Sequence, residues 1–415
     1  MKEKIQEIGE KARKAARLLA AVDTEKKNEG LNAMADELTA NAAKIEAENE
    51  KDIHNAKNEN LDAALIDRLT LDADRVKSMA DGLRDIASLN DPVGEIYEET
   101  TRPTGIRVAR MRIPIGVIGI IYESRPNVTA DTAALCLKTG NAVILRGGKE
   151  AFNSNRIIAA ILRSALERVG ITPDAVQFID TTDREAVLHM LKMDKNIDII
   201  IPRGGPGLIK FVSENSTIPV IKHDAGLCHV YIDEGADYNM ARDITINSKC
   251  QRPGVCNAAE TLLIHSSWID NVARLLDELE KAGVEIRACA RTYEIYSHAK
   301  PATENDWYAE YLALILAVKI VDSMEEAIDH IEKYGSHHTE TIVTPSPERG
   351  EAFIKAVDSS AVMVNASTRF NDGGEFGLGA EMGISTQKLH CRGPMGLKEL
   401  TTYKFIVHGE GQIRN

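Results

Sequence analysis

No stretch of this 415-residue chain is both long and apolar enough to span a membrane. The longest uncharged apolar run, Ile113 to Tyr122, falls far below the roughly 18 residues a crossing helix needs. The amino terminus shows no hydrophobic leader. Lys2, Glu3, Lys4, Glu7, Glu10 and Lys11 intermix there, and transit peptides are poor in acid. The six cysteines, Cys136, Cys228, Cys250, Cys256, Cys289 and Cys391, include no CxxC pair. That excludes a local zinc knuckle and a dithiol redox motif. In a chain of this size without a leader they read as reduced thiols, and the expected compartment is the cytoplasm. An excess of positive charge is missing too. Lys and Arg number 50 against 63 Asp and Glu, a net charge of −13, so the footprint of a general nucleic-acid binder is absent. No internal repeat and no low-complexity segment occurs.

What is present is an ordinary globular balance, 43% hydrophobic and 27% charged. At ~150 residues per domain the length suggests two or three domains. The first ~90 residues read as amphipathic helices, because Leu31, Met34, Ala35, Leu38, Ala42 and Ile45 recur at helical spacing with charges between them. Asp23 or Thr24 is the expected cap of that helix. From Val117 the grammar changes. Short β-branched runs (Val117–Tyr122, Ala142–Arg146, Val176–Ile179, Ile197–Ile201) alternate with helices, which predicts βαβ units around a buried parallel sheet. A second alternating series follows a boundary near His223–Gly226, with strands at His229–Ile232, Thr261–Ile264, Leu314–Val321, Thr341–Val343 and Ala361–Val364. Ligand sites in such sheets are expected at the carboxyl ends of strands. Ile106–Ile113, with three arginines between apolar residues, reads as an exposed hairpin arm that pairs with another subunit.

Few segments suggest chemistry. Cys256 lies in Gln251-Arg252-Pro253-Gly254-Val255-Cys256-Asn257, after a helix and a Pro-Gly turn. A thiol on such a turn is reachable, and Arg252 beside it would favour the nucleophilic thiolate. Arg203-Gly204-Gly205-Pro206-Gly207 follows a buried strand and opens a helix, a place where backbone N–H groups suit an anion. It is not the GxGxxG fingerprint, and a tight turn reads as well. Arg146-Gly147-Gly148-Lys149 ends another strand, and its cations would suit a ribose phosphate, NADP before NAD. Asn127, just beyond Pro126, is placed to offer an amide to an oxyanion. His337, His338 and His390 lack partners at metal spacing, so no metal is expected.

Taken in order, four segments carry a resemblance. They are Ile120–Thr129 (IIYESRPNVT), Gln251–Ala258 (QRPGVCNA), Ala327–Ile342 with its Ser336, His338, Thr339 and Glu340, and Val364–Phe370 (VNASTRF). With them the chain resembles the aldehyde dehydrogenase superfamily over essentially its whole length, in particular members that reduce L-glutamyl 5-phosphate with NADPH. The resemblance implies an α/β fold of two Rossmann-type parallel-sheet domains plus a small β-arm for oligomerisation. Residues 1–103 and 117–225 would bind cofactor, 226–382 would form the catalytic domain, and 104–116 with 383–415 the arm and carboxyl-terminal segment. Cys256 would be the nucleophile, and Asn127 the oxyanion amide with the Cys256 N–H. Arg146, Gly147, Gly148, Lys149, Arg203, Gly204 and Gly205 would hold the nucleotide, and Glu310 its nicotinamide ribose. The loop from Ser367, with Thr368 and Arg369, would anchor the amino-acid end of the substrate. Arg125 and Arg252 are the candidates for its phosphate. Hydrolytic members carry a glutamate base where this chain has His223. An acyl phosphate brings its own leaving group, and its thioester has to outlast water until hydride arrives, so the missing base fits a reductase.

The implied activity is the second step of L-proline biosynthesis from glutamate, giving L-glutamate 5-semialdehyde and phosphate. The rivals are a hydrolytic NAD-dependent semialdehyde dehydrogenase and a silent nucleotide-binding scaffold. No fused kinase is read in the chain; a separate glutamate 5-kinase is a partner of transient contact only. The resemblance also implies a homodimer or dimer of dimers, through Ile106–Ile113 and Thr402–Val407. Light scattering at micromolar concentration is expected to give at least twice the chain mass; a monomer mass overturns that expectation.

Overall fold

The computed structural model describes residues 1–222 and 225–414, with Ala64 by its backbone alone. The described residues form two compact units. Among them no helix is long and apolar enough to cross a membrane.

The first unit contains residues 1–222, 378–383 and 395–414. It opens with helices α1 (Lys2–Leu19), α2 (Thr24–Ala40), α3 (Ala42–Asn58), α4 (Ala63–Leu69) and α5 (Ala73–Ser88). Asp23 settles the cap of α2: its carboxylate accepts the Lys26 N–H at 2.7 Å. The buried stripe of α2 is Leu31, Met34, Ala35 and Leu38, as the spacing predicts. After β1 (Ile96–Thr101) and β2 (Arg107–Pro114) come β3 (Val117–Tyr122), α6 (Asn127–Lys138), β4 (Ala142–Gly147), α7 (Phe152–Arg168), β5 (Val176–Phe178), α8 (Arg184–Met190), β6 (Ile199–Arg203) and α9 (Pro206–Asn215). The parallel sheet runs β5-β4-β3-β6. All of β3 and β4 is buried, which is why these strands read as continuous apolar runs and not as alternating ones.

The second unit contains residues 225–377 and 384–394. It comprises β7 (Cys228–Ile232), α10 (Tyr238–Cys250), β8 (Ala259–His265), α11 (Val272–Lys281), β9 (Glu285–Ala288), α12 (Ala290–Ile295), β10 (Lys300–Pro301), β11 (Ile315–Val321), α13 (Met324–Tyr334), β12 (Thr339–Val343), α14 (Pro347–Ala356), β13 (Ala361–Val364) and the short pair β14 (Ile384–Ser385) and β15 (Gly393–Pro394). Seven strands form one parallel sheet, β10-β9-β11-β8-β7-β12-β13. One face packs Leu262, Leu275, Leu279, Leu316 and Val318. The other packs Tyr231, Ile331, Ile342 and Phe353. Buried polar residues gather toward the amino ends of three of these strands: His229 on β7, Glu260 and Thr261 on β8, and Thr339, Glu340 and Thr341 on β12.

The last strand, β16 (Thr401–His408), returns to the first unit and pairs antiparallel with β2. The arm sheet is β1-β2-β16, so the Ile106–Ile113 segment is a strand of an antiparallel arm but not an exposed edge. Its two edges are taken by β1 and β16 of the same chain, and only those outer strands have edges left to pair. Asn141 joins three pieces of this unit. Its amide donates to Leu400 O and Thr139 Oγ1, both at 2.8 Å, and its oxygen accepts the Gly116 N–H at 2.7 Å. The side chain is buried, so its removal strands three polar partners. Asn141→Ala is expected to cost roughly 2–3 kcal/mol, read as a lowered urea midpoint; an unchanged midpoint contradicts this account.

Candidate active site

Cys256 occupies the loop between α10 and β8, half-buried, just before Ala259 opens the strand. That is the amino end of β8, not a carboxyl end. The reason is the element order: the thiol belongs to a helix-to-strand connection, which in a parallel sheet lies opposite the strand-to-helix loops. Gly226, His338 and Glu310 are likewise found just before β7, β12 and β11. The carboxyl-end expectation holds for the candidate residues of the first unit only.

The loop's backbone is held from two sides. The Cys228 thiol, buried, donates to Cys256 O at 3.1 Å. Burial pushes that thiol well above its ordinary value, so it stays a neutral donor. Gly226 lies directly against the loop: a Cβ added to it would stand 2.0 Å from Cys256 O and 2.5 Å from its Cα. Only glycine allows so close an approach. The Gly226 N–H donates to Glu310 Oε1 at 2.9 Å. Burial raises the Glu310 carboxyl, and this hydrogen bond opposes the rise.

The segment after β13 doubles back to the same edge. Thr341 Oγ1 holds Ala366 O at 2.7 Å. Thr368 Oγ1 donates to Asn257 O at 2.7 Å, and Asn257 Nδ2 to Asn371 O at 2.9 Å. Ser367 Oγ pairs with Ser248 Oγ at 3.0 Å. The Ser367 and Thr368 hydroxyls are therefore buried in the loop's own scaffold. Arg369 differs: half-buried, it donates from Nε to Gln251 Oε1 at 2.8 Å, beside the cysteine loop. Burial lowers its guanidinium, the like charge of Arg252 adds to that, and Asp372 and Cys256 oppose it. Cys256, Arg252, Arg369 and Glu310 thus belong to one loop cluster of the second unit. His338 donates or accepts at Thr339 Oγ1, 2.7 Å away, with Cys228 Sγ at 3.6 Å. His337 Nδ1 meets Asp358 O at 2.7 Å. His223 lies outside the described residues.

In the first unit the nucleotide candidates crowd the carboxyl ends of β3, β4 and β6. Arg146 is buried, donating to Gly147 O at 2.9 Å and Thr182 O at 3.0 Å. Its Nε is buried without a partner, and burial lowers the guanidinium. Lys149 is exposed and paired with Glu59 at 2.8 Å. Gly205 caps α9, and its N–H donates to Glu123 Oε2 at 2.9 Å. Glu123 therefore fills the anion turn from within the chain. Asn127 opens α6 and donates to Asp131 Oδ2 at 2.8 Å, so its amide is engaged on its own helix. Burial pushes Asp131 up to about 6, against the pull of Asn127 and Arg203. Arg125 is exposed at the start of the same turn. Glycine turns, an unpartnered buried Arg146 nitrogen and a helix start are a donor set that fits a dinucleotide phosphate.

Glu123 and Gly226 were not singled out from sequence. Glu123 sits inside the motif Ile120–Thr129, but nothing local says that it reaches a turn 82 residues away. Gly226 shows only as the end of a boundary between two alternating series, not as the wall behind a cysteine 30 residues on.

Against known proteins, residues 1–288 match the sequence model of the aldehyde dehydrogenase family. The gamma-glutamyl phosphate reductase of Caldanaerobacter subterraneus subsp. tengcongensis is 57% identical over 405 residues, 97% of this chain and 98% of that one. That of Moorella thermoacetica is 54% identical over 411 residues, 99% and 98% of the two chains. The crystal structure of gamma-glutamyl phosphate reductase from Thermotoga maritima superposes with a TM-score of 0.97 at 46% identity, over 99% of this chain and 100% of that one. An acetylating aldehyde dehydrogenase from Geobacillus thermoglucosidasius shares the fold, with a TM-score of 0.71 at 19% identity over 100% and 98%.

Gly226→Ala is expected to keep the fold but slow alkylation of Cys256 and cut turnover by about a hundredfold, because a displacement of ~1 Å at a reacting group costs that much. Parent-like rates of both would show that the close approach is not needed.

Proposed function

The chain belongs to the aldehyde dehydrogenase family, within it to the gamma-glutamyl phosphate reductases, and on that premise we propose that it reduces L-glutamyl 5-phosphate to L-glutamate 5-semialdehyde through a thioester on Cys256. It is an oxidoreductase of proline biosynthesis. The observation that carries the mechanism is the loop cluster itself: a thiol with its backbone pinned, and two guanidiniums, Arg252 and Arg369, in the same cluster. A thiolate attacking an acyl phosphate needs a cation to receive the departing phosphate and another for the substrate's own carboxylate.

The Cys256 thiolate adds to the γ-carbonyl. Negative charge builds on the carbonyl oxygen, where the Cys256 N–H and the Asn127 amide stabilise it; Asn127 has first to leave Asp131. The C–O bond to phosphate then breaks, and the departing phosphate takes up one proton from water to leave as a dianion. Gly204, Gly205 and Arg146, with Gly147, Gly148 and Lys149, would hold the phosphates of NADPH and Glu310 its nicotinamide ribose; bound there, the cofactor would supply the hydride that reduces the thioester. Hydride addition leaves the tetrahedral carbon with an alkoxide oxygen, the C–S bond breaks, and the aldehyde leaves with the thiolate restored. The roles proposed for Ser367 and Thr368 pass to the backbone they brace, since their hydroxyls are used internally. Arg125 remains the second candidate for the phosphate.

The test is the reverse reaction with pyrroline-5-carboxylate and NADP, followed by NADPH absorbance. Strict dependence on inorganic phosphate is expected; equal rates without it would mean that water resolves the thioester. Cys256→Ser is expected to abolish turnover while leaving NADPH binding intact, and retained turnover would remove Cys256 as the nucleophile.

A further inference from the structure

Lys249 and Glu260 stand at the two feet of the Cys256 loop, one at the end of α10 and the other at the start of β8. Their ammonium and carboxylate meet at 2.6 Å with side-chain exposures of 0% and 1%. Burial drives Lys249 below its ordinary value and Glu260 up to about 7, and the nearby Glu310 charge adds to the latter. An ion pair this dry is a poor source of stability, because apolar replacement of both partners is often as stable or more so. Its second carboxylate oxygen indicates another use. Glu260 Oε1 accepts the Leu312 N–H at 3.2 Å. Leu312 has φ of +51°, a left-handed conformation that a leucine keeps only when its surroundings fix it.

Leu312 lies two residues beyond Glu310, Glu310 accepts the Gly226 N–H, and Gly226 abuts the Cys256 backbone. The contacts close a ring: Lys249, Glu260, Leu312, Glu310, Gly226 and the Cys256 loop that returns to Lys249. We propose that Glu260, neutralised by Lys249, is a positioning residue that sets where Glu310 presents its carboxylate relative to the Cys256 loop. It touches neither substrate nor cofactor. It fixes the strained turn from which Glu310 projects, and through it the reach between the nicotinamide ribose and the thioester carbon. This rests on the proposed roles of Glu310 and Cys256.

The experiment compares two paired variants by steady-state kinetics of the reverse reaction. Lys249→Met with Glu260→Met removes the charges and the acceptor for Leu312. Lys249→Met with Glu260→Gln removes the charges but keeps an oxygen for it. The first is expected to raise KM for NADP about tenfold, with KM for phosphate within twofold and Cys256 alkylation within threefold of the parent. The second is expected to bring KM for NADP back to within threefold. A merely structural pair would make the two variants equally poor, and that result overturns the proposal. If the first variant does not fold, a tenfold KM loss in the second overturns it, and a parent-like KM supports it. Glu310→Gln, alone and combined with the first variant, separates the levels. A raised KM in Glu310→Gln that is not multiplied in the combination supports the proposal, and multiplied losses overturn it alone. An unchanged KM in Glu310→Gln overturns the role of Glu310 and the proposal with it.

Discussion

One constraint governs the Cys256 edge of the second unit: two backbones touch with no side chain between them. At Gly226 the chain comes so close to the Cys256 loop that a single methyl group would overlap it. Everything else at that edge is arranged around the contact. The Cys228 thiol supports the loop from beneath, and Glu310 receives the N–H of the same glycine. A cysteine on an exposed turn is usually mobile; here its position is dictated by main-chain atoms, which have no rotamers to escape through.

The sheets were largely legible from sequence because burial on both faces leaves a strong mark. Val117–Tyr122, buried throughout, matches its apolar run residue for residue; Ala361–Val364, an edge strand buried only at Ala361, matches through its apolar run alone. Helix Met324–Tyr334 is bounded by its own caps, Ser323 before it and Gly335 after it. Weaker marks failed. Strand Glu285–Ala288 is only four residues long and carries Glu285 and Arg287 paired with each other, so charge hid it. Ile96–Thr101 is almost wholly exposed and reads as loop. The arm segment around Arg107–Pro114 was legible as a strand, but its middle place depends on β16, almost 300 residues on, which periodicity cannot reveal.

The site was legible where chemistry sits inside a short motif, and illegible where it depends on pairs distant in sequence. Cys256, Arg252 and Asn127 stand out because a few neighbours give them context. Lys249 and Glu260 are 11 positions apart and read as a helix cation and a strand anion, each unremarkable alone. The Ser367 and Thr368 hydroxyls looked available until Ser248 and Asn257, more than 100 residues earlier, took them up.

The Glu123 carboxylate on the Gly205 N–H has a thermodynamic consequence. An anion that settles on this turn exchanges places with a carboxylate already there, so the helix start is never electrically bare. Its gain is a difference between two anions, not the full attraction of one. A lone small anion, worth about as much to the turn as Glu123, gains almost nothing by entering. A group that offers several oxygens at once keeps a surplus. The turn thereby rewards the number of acceptors a ligand carries, and its own carboxylate is the standard against which each newcomer is weighed.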